Sequence, residues 1–139
     1  FCYPEFSAAP NVYESLADFR RMNSGVFVAA PSRDTFAAML EALDRPDAFW
    51  PRTDQTFLQS WFPDWHGLPV FCNMLQYAWF ALPGLWDWNS VRVLHYQYEK
   101  PWEKDHPKAH LLGPLIALWR AYRSGEGIPA LSILPNPAP

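Results

Sequence analysis

A histidine and a lysine in one short stretch of this sequence are the side chains that could bind a metal ion and a phosphate. His95 lies near the end of residues 91–97, whose alternating pattern predicts a strand. Pro101 cannot donate to a strand ladder, so we expect Lys100 in the loop that follows. A neutral imidazole can ligate a divalent metal, and an ammonium can hold a phosphate. By itself, however, this stretch favours a hydrogen-bonded sheet histidine and a solvated loop lysine.

Two pairs of neighbouring polar residues add hydrogen-bonding groups that suit a sugar. Asn23 and Ser24 precede a glycine and a predicted strand, although Asn-Ser-Gly is also common in plain turns. Asp54 and Gln55 open a predicted helix, where a carboxylate and an amide can together bind sugar hydroxyls. Asp54 would equally fit an ordinary N-cap, which is a frequent role for aspartate. Neither pair is specific by itself.

The elements that must position these residues are predicted from changes in hydrophobic periodicity, which indicate an α/β fold. Strands are expected near residues 25–29, 69–73 and 91–96, and helices near residues 33–43, 54–62 and 108–122. We interpret the apolar stripe of the first helix, which includes Phe36 and Leu40, as core. Residues 1–20 look irregular. In open α/β sheets, ligands bind outside the carboxyl ends of strands, which is where His95 is expected.

Composition sets the broad class of the protein. The chain has 139 residues, 50% of them hydrophobic and 17% aromatic, which is enough for one domain with a core. The net charge of -3 argues against a nucleic-acid partner, which would require a basic patch. No apolar run reaches the length of a membrane span. Two isolated cysteines, Cys2 and Cys72, favour a reducing compartment such as the cytoplasm, and the other histidines lack the spacing of a zinc site.

Four segments, in this order along the chain, resemble glycosyltransferase family 8, which includes glycogenin and galactinol synthase. They are Asn23-Ser-Gly-Val-Phe-Val, Asp54-Gln, Leu68-Pro…Cys72-Asn-Met-Leu-Gln and His95…Lys100-Pro-Trp. Each segment is weak alone, but their order and distances together are specific over roughly residues 1 to 120. The resemblance implies a Rossmann-like nucleotide-diphospho-sugar transferase fold, retention of configuration, a UDP-sugar donor and a manganese ion.

The resemblance also implies a role for each matching residue. His95 corresponds to the family's metal-binding histidine. The residues that would bind the donor, through its sugar, ribose or diphosphate, are Asn23, Ser24, Gln55, Asn73 and Lys100. Of these, Lys100 would hold the diphosphate and Asn73 would lie in the sugar pocket. Asp54 is the candidate catalytic carboxylate, either as a nucleophile or as a stabiliser near the anomeric centre.

Three positions depart from the family pattern. Met22 stands where phenylalanine is usual, and Pro51 stands where glycogenin-like members carry a second acid. The stretch Tyr96-Gln-Tyr-Glu99, between the histidine and the lysine, is one residue shorter than in the family and lacks its glycine. These departures concern the backbone around the diphosphate and the identity of the donor sugar.

The first half of the family's domain has no counterpart in this sequence. That half holds the strands that bind uridine and an Asp-x-Asp motif that supplies metal ligands, and one histidine cannot hold manganese alone. We therefore expect residues 1–123 to be the C-terminal portion of one glycosyltransferase domain, without its nucleotide-binding half. Residues 124–139 are expected to form a mobile proline-rich tail. Such a fragment should be inactive alone and prone to self-association.

A function of another class also fits the sequence, namely a non-catalytic carbohydrate-binding or interaction module. The aromatic density between Tyr77 and Trp102 supports it, since sugars stack on aromatic rings. Such a module does not need the ordered set of four motifs, so the transferase is favoured. The acceptor would be a glycan, a polyol or a protein, and the sequence does not distinguish among them.

Overall fold

The computed structural model describes residues 5–12, 16–46, 53–127, 129–130 and 133–138. Within these ranges the chain is a mixed α/β structure with two small sheets, as predicted. The strands are β1 (Phe6–Pro10), β2 (Met22–Ala29), β3 (His66–Gly67), β4 (Met74–Leu75) and β5 (Leu94–His95). The α-helices are α1 (Arg33–Leu43), α2 (Asp54–Trp61), α3 (Ala78–Ala81) and α4 (Ala109–Ser124). Short 3-10 helices span Leu16–Arg20, Val70–Asn73 and Pro83–Leu85. The Rossmann-like character of the fold stays a prediction.

The first sheet is built around β1, a strand that the sequence did not predict. The strand order is β2-β1-β3, with β2 antiparallel and β3 parallel to β1. All five β1 residues, Phe-Ser-Ala-Ala-Pro, are buried. Alanine and proline are depleted in strands, which is why the segment looked irregular. Their small side chains nevertheless suit a central strand that other elements cover.

The second strand of this sheet carries a bulge within the first motif. Ala8 pairs with Phe27, but the next β1 residue, Ala9, pairs with Asn23. Residues 24–26 therefore leave the ladder while the rest of β2 stays paired. Bulges bend a strand and redirect its side chains, and they are frequent next to functional sites. The first motif thus lies in a bulge of the predicted strand.

The residue before that motif, Met22, helps to anchor the sheet. Its side chain is fully buried together with Phe6 and Ala8, and Leu58 and Phe62 of the α2 region pack against this cluster. Methionine at this position therefore places one flexible apolar side chain in the core. Methionine adapts well to such irregular spaces.

The second sheet is a short parallel pair formed by β4 and β5. The backbone N–H of Met74 donates to Val93 at 2.9 Å, and that of Gln76 donates to the carbonyl of His95 at 3.0 Å. His95 therefore lies at the carboxyl end of its strand, as predicted.

One of the predicted strands is a helix in the structure, and another is shorter than predicted. The prediction of a strand over residues 69–73 is wrong, because Val70–Asn73 forms a 3-10 helix and β4 begins only after it. A short apolar run cannot be assigned to strand or helix by periodicity alone. The predicted strand over residues 91–96 is confirmed in position, although the paired part is β5 alone.

The three predicted helices are confirmed as α1, α2 and α4. Helix α4 presents Leu112, Leu115 and Ile116 to the largest apolar cluster, where they meet the indoles of Trp79 and Trp88. The helix ends at a glycine, residue 125, with a positive φ of 86°. A left-handed glycine is the usual device that closes a helix.

The interpretation of the α1 stripe as core is wrong for most of its residues. The exposed fraction is 62% for Phe36, 46% for Leu40 and 45% for Leu43, and Ala42 is the buried residue of the helix. Apolar periodicity predicts an amphipathic helix but says nothing about what covers it. Among the described residues, this face of α1 is left largely open.

The described part of the predicted tail contacts the core. Leu134 packs on the α4 cluster, and the indole N–H of Trp88 donates to the carbonyl of Pro135 at 2.8 Å.

Among the described helices, none has both the length and the apolar character needed to cross a bilayer.

Candidate functional site

A polar cleft of about 440 Å³ collects most of the residues that the sequence singled out. Its walls come from the start of β2, the amino end of α2 and the loop after β5. The lining residues are Asn11, Arg21, Asn23, Ser24, Thr53, Asp54, Gln55, Thr56, Gln97 and Tyr98. Two motifs that lie far apart in sequence therefore share one cavity, which is rich in groups that can hydrogen-bond a sugar.

Helix α2 places Asp54 in the cleft as its first residue. Thr53 is the N-cap, with extended backbone, so Asp54 is not used as the N-cap that its sequence position allowed. The Asp54 carboxylate is exposed and lies in the first helical turn. A carboxylate in this position is favoured by the helix dipole and remains accessible to a ligand.

Two glutamines, one turn apart on α2, attach the helix to β2. The side-chain oxygen of Gln55 accepts from the backbone N–H of Ser24 at 3.3 Å. The side-chain oxygen of Gln59 accepts from the backbone N–H of Met22 at 2.8 Å. These bonds satisfy backbone donors near the bulge, and they hold the Asp54-Gln55 pair next to the Asn23-Ser24 pair.

A chain of three asparagines runs behind the cleft to His95. Asn23 Nδ2 donates to Asn11 Oδ1 at 2.8 Å, and Asn73 Nδ2 donates to Asn23 Oδ1 at 2.8 Å. Asn73 Oδ1 lies 3.0 Å from His95 Nδ1. Asn73 is completely buried, so its amide faces the network and does not line the cleft. His95 does not line the cleft either, but it is joined to the cleft residue Asn23 through Asn73.

Gly25 lets the bulge of β2 approach the imidazole of His95. A Cβ atom on Gly25 would lie 2.4 Å from His95 Cε1 and 2.7 Å from His95 Nδ1. Real Cβ atoms do not come this close to other atoms, so any other residue at this position would force the bulge or the ring to shift. The backbone of the first motif therefore covers one side of the ring.

The environment of His95 favours the neutral form of its ring. Burial lowers the pKa of the His95 imidazole below its ordinary value, and the positive charge of Lys100 lowers this pKa further. A neutral imidazole is the form that ligates a metal ion. Lys100 itself is half-buried, and its Nζ donates to the carbonyl of Tyr96 at 2.7 Å. Its ammonium therefore lies close to His95 and outside the lining of the cleft.

The described residues offer a metal ion one ligand and not a complete site. No group of three or more histidine, cysteine, aspartate or glutamate side chains comes together in the part of the chain that the structure describes. Manganese requires about six ligands, mostly oxygen. His95 fits the role of one nitrogen ligand, and any others would have to come from elsewhere.

The loop between His95 and Lys100 contains a strained tyrosine and no glycine. Tyr98 has a φ of +56°, in the left-handed region that favours glycine. The side-chain amide of Gln76 donates to the carbonyls on both sides of it, to Gln97 at 2.5 Å and to Glu99 at 3.0 Å. The ring of Tyr98 stacks on Tyr77 at 5.5 Å and remains 61% exposed at the cleft.

A second set of contacts holds the same loop against α4. The hydroxyl of Tyr77 donates to Glu99 at 2.5 Å, and Lys108 Nζ lies 2.6 Å from that hydroxyl and 3.5 Å from the Glu99 carboxylate. Burial and the bond to Glu99 raise the pKa of the Tyr77 phenol, so it stays protonated. The loop that carries Tyr98 is thus fixed from both sides, which is how a strained residue persists in a fold.

The cleft contains residues that the sequence reasoning did not select. Arg21 lies two residues before the first motif, and Gln97 and Tyr98 lie between the matched histidine and lysine. The stretch between His95 and Lys100 was singled out because it is short and lacks a glycine, but neither Gln97 nor Tyr98 was assigned a role. Nothing in the sequence indicated Asn11, which lies in the stretch that looked irregular.

A larger open groove, of about 690 Å³, follows helix α4. Its floor consists of small residues one turn apart, including Ala109, Gly113 and Ala117. It contains none of the residues that the motifs selected. The polar cleft is therefore the candidate functional site.

Comparison with known proteins gives two relatives, both named as glycosyltransferases, and no family model matches the chain. A protein of Arabidopsis thaliana named UDP-glucuronate:xylan alpha-glucuronosyltransferase 3 is 31% identical over an alignment of 114 residues, and the match covers 73% of this chain and 17% of the relative. UDP-glucuronate:xylan alpha-glucuronosyltransferase 1 of the same plant is 28% identical over an alignment of 117 residues, and the match covers 73% of this chain and 16% of the relative. The chain thus spans about a sixth of the length of these relatives.

Proposed function

We propose that this chain is part of a retaining glycosyltransferase of family 8, which transfers a hexosyl group from a UDP-sugar to a glycan acceptor with the help of a divalent metal ion. The observation that carries the proposal is the cleft, where the Asn23-Ser24 and Asp54-Gln55 pairs meet. Ser24 and Gln55 are 31 residues apart in sequence and hydrogen-bond to each other. The names of the two relatives support a transferase over a simple binding module.

In this proposal the side chains of the cleft hold the transferred sugar. Gln55 and Ser24 orient its hydroxyls, and Asp54 lies nearest the anomeric carbon, as a nucleophile or as a stabiliser of positive charge there. Lys100, with its ammonium beside His95, opposes the negative charge that develops on the leaving diphosphate. Manganese, held by His95 and by ligands outside the described residues, would neutralise the same charge.

The cleft also favours a donor whose sugar carries a carboxylate. Arg21 lines the cleft, and its guanidinium forms no ion pair within the described part of the chain. A guanidinium binds a carboxylate through two parallel hydrogen bonds, which a neutral hexose cannot provide. Both relatives are named for UDP-glucuronate. We therefore propose a UDP-hexuronate as the preferred donor.

The test is a transfer assay on the 139-residue chain and on the full product of its coding sequence. Radiolabelled UDP-glucuronate, UDP-glucose and UDP-galactose are offered with xylan oligosaccharides, in manganese or in EDTA. We expect transfer that depends on manganese in the full product and none in the isolated chain, because His95 is one ligand of several. The linkage of the product, read by NMR, reports whether the configuration is retained.

Asp54→Asn tests the role of the catalytic carboxylate. Transfer should fall by at least about a hundredfold while UDP binding persists, because the nucleotide is held by other groups. Asp34→Asn is the matched control, since Asp34 lies in the first turn of α1 just as Asp54 lies in the first turn of α2. Equal activities of the two variants would contradict the assigned role. A full product that binds xylan oligosaccharides but consumes no UDP-sugar would replace the transferase with the carbohydrate-binding module.

A further inference from the structure

We propose that Asn11, Asn23 and Asn73 form a directional relay that fixes the tautomer of His95, so that Nδ1 carries the hydrogen and Nε2 presents a lone pair to a divalent cation. The three asparagines are positioning residues in this account, since they act on a ligand through the histidine. The inference about the tautomer stands on hydrogen bonds alone. The inference about the cation rests on the proposed function.

The direction of the relay is set by a backbone group that can only donate. The N–H of Gly25 lies 2.8 Å from the side-chain oxygen of Asn23. This bond requires oxygen at that position and so excludes the flipped amide of Asn23. The other side-chain atom of Asn23 is then its Nδ2, which donates to Asn11 Oδ1 at 2.8 Å.

The same bond determines the orientation of the next amide. Because Asn23 presents an oxygen, the Asn73 atom 2.8 Å away must be a donor, which is Nδ2. The oxygen of Asn73 is therefore the atom that faces His95 Nδ1 at 3.0 Å. A carbonyl oxygen can only accept, so Nδ1 carries a hydrogen. In the neutral ring Nε2 is then the unprotonated nitrogen.

Burial prevents the relay from reversing. Asn73 has an exposed fraction of 0%, so solvent does not substitute for a lost partner there, and the exposed fraction is only 7% for Asn23 and 8% for Asn11. A flip of Asn73 alone would set its NH2 group against an N–H of His95 and its oxygen against the oxygen of Asn23. Leaving such buried groups unpaired is costly. The donor N–H of Gly25 therefore determines the direction of each hydrogen bond up to the imidazole of His95.

The arrangement matches the way that proteins prepare a histidine for a metal ion. A ligating histidine usually donates its second ring N–H to a carbonyl or carboxylate, which fixes both the tautomer and the direction of the lone pair. Here the carbonyl belongs to Asn73, and Gly25 packs close to the Nδ1 edge of the ring. The ligand class is a divalent cation that accepts nitrogen and oxygen donors.

The tautomer can be measured without metal, donor or activity. In the 15N-labelled 139-residue chain at pH 8, long-range proton–nitrogen correlations report which ring nitrogen carries the hydrogen. We expect a protonated Nδ1 and a bare Nε2 for His95, assigned with His95→Gln. The exposed His110 of α4 should show the tautomer mixture of a solvated histidine. A bare Nδ1 on His95 would overturn the relay.

Two variants of Asn73 separate the relay from a general packing role. Asn73→Asp keeps an acceptor for Nδ1 and should preserve the tautomer, whereas Asn73→Leu removes the acceptor and should give a mixture. The amide spectrum of α4, which is remote from the substitution, checks that each variant is folded. An unchanged tautomer in folded Asn73→Leu would overturn the relay. If a variant does not fold, the tautomer measured in the wild-type chain still tests the direction of the hydrogen bonds.

Manganese added alone tests the second part of the inference. Paramagnetic broadening in the full product should affect the ring signals of His95 before those of His110, and it should weaken when Asn73→Leu disorders the tautomer. Equal broadening of both histidines would overturn the cation assignment. If the tautomer is as expected but the full product transfers no sugar, the proposed function fails and the relay remains. If the full product transfers sugar but Nδ1 is bare, the relay alone fails.

Discussion

At the scale of single residues, Tyr98 shows how the fold holds a residue other than glycine in the left-handed region. Its left-handed backbone is the conformation that a glycine adopts without strain. The strain is held by Gln76, whose amide bridges the carbonyls of Gln97 and Glu99. The strained residue places an aromatic ring at the cleft, where a sugar can stack.

The strain at Tyr98 predicts that glycine is more stabilising than alanine at this position, which is the reverse of the order in a helix. Tyr98→Gly and Tyr98→Ala both remove the ring, but only glycine tolerates the positive φ. We expect the glycine variant to be more stable by about 1 kcal/mol in urea unfolding. At Phe36, exposed on α1, alanine should be the more stable by about 1 kcal/mol, because glycine weakens a helix. The same order at both positions would contradict the assignment of strain.

Arg21 is the residue whose substitution should change the choice of donor. Arg21→Gln removes the guanidinium that we assign to the carboxylate of the sugar. With UDP-glucuronate, kcat/KM of the full product should fall about 10- to 100-fold, the usual effect of losing a hydrogen bond to a charged group. With UDP-glucose it should change little. Arg20→Gln, next to it in sequence but outside the cleft lining, is the control. An equal loss with both donors would remove Arg21 from donor recognition.

At the scale of elements, the bulge of β2 brings the first motif to β5. A regular ladder would have paired residues 25 and 26 with the end of β1, whereas the bulge turns residues 24–26 toward α2 and His95. Two glutamines of α2 then accept the backbone N–H groups of Ser24 and Met22. The site therefore depends on three elements that are each unremarkable in sequence.

Gly25→Ala tests this contact between elements. The added methyl would overlap the imidazole of His95, so either the bulge or the ring must shift. We expect a loss of about 1–3 kcal/mol of stability in urea unfolding, the usual cost of overpacking, and a changed chemical shift at His95. Gly84→Ala is the matched control, because a Cβ there would meet nothing within 4 Å. A neutral effect of Gly25→Ala, with the His95 signals unmoved, would contradict the close packing.

At the scale of the whole molecule, we expect self-association through the apolar face of α1, which the described residues leave largely open. Phe36, Leu40 and Leu43 are largely exposed on one helix. Burying such side chains between two copies is favourable by roughly 25 cal/mol per Å². Sedimentation velocity at rising concentration should show association of the 139-residue chain, and Leu40→Glu should weaken it. Leu16→Glu introduces the same charge at another exposed leucine and should have a smaller effect. A concentration-independent monomer would contradict this prediction.

The sequence by itself determined the features that depend on neighbouring residues. Helices α1, α2 and α4 follow from apolar spacing and terminal signals, and the place of His95 at a strand end follows from alternation and a proline. These are local properties, since a turn of helix or a paired strand has its period written in adjacent positions. The motifs were recognisable for the same reason.

Only the tertiary structure decided how the site is assembled. Asn73 and Asn23 are 50 residues apart, and no periodicity shows that their amides meet or that Gly25 sets their polarity. The burial of β1 and the exposure of α1 likewise depend on what packs against each element. Hydrogen-bond direction and burial are set by partners distant in the chain. The sequence could therefore name the histidine, and the fold was needed to show which side chain its Nδ1 contacts.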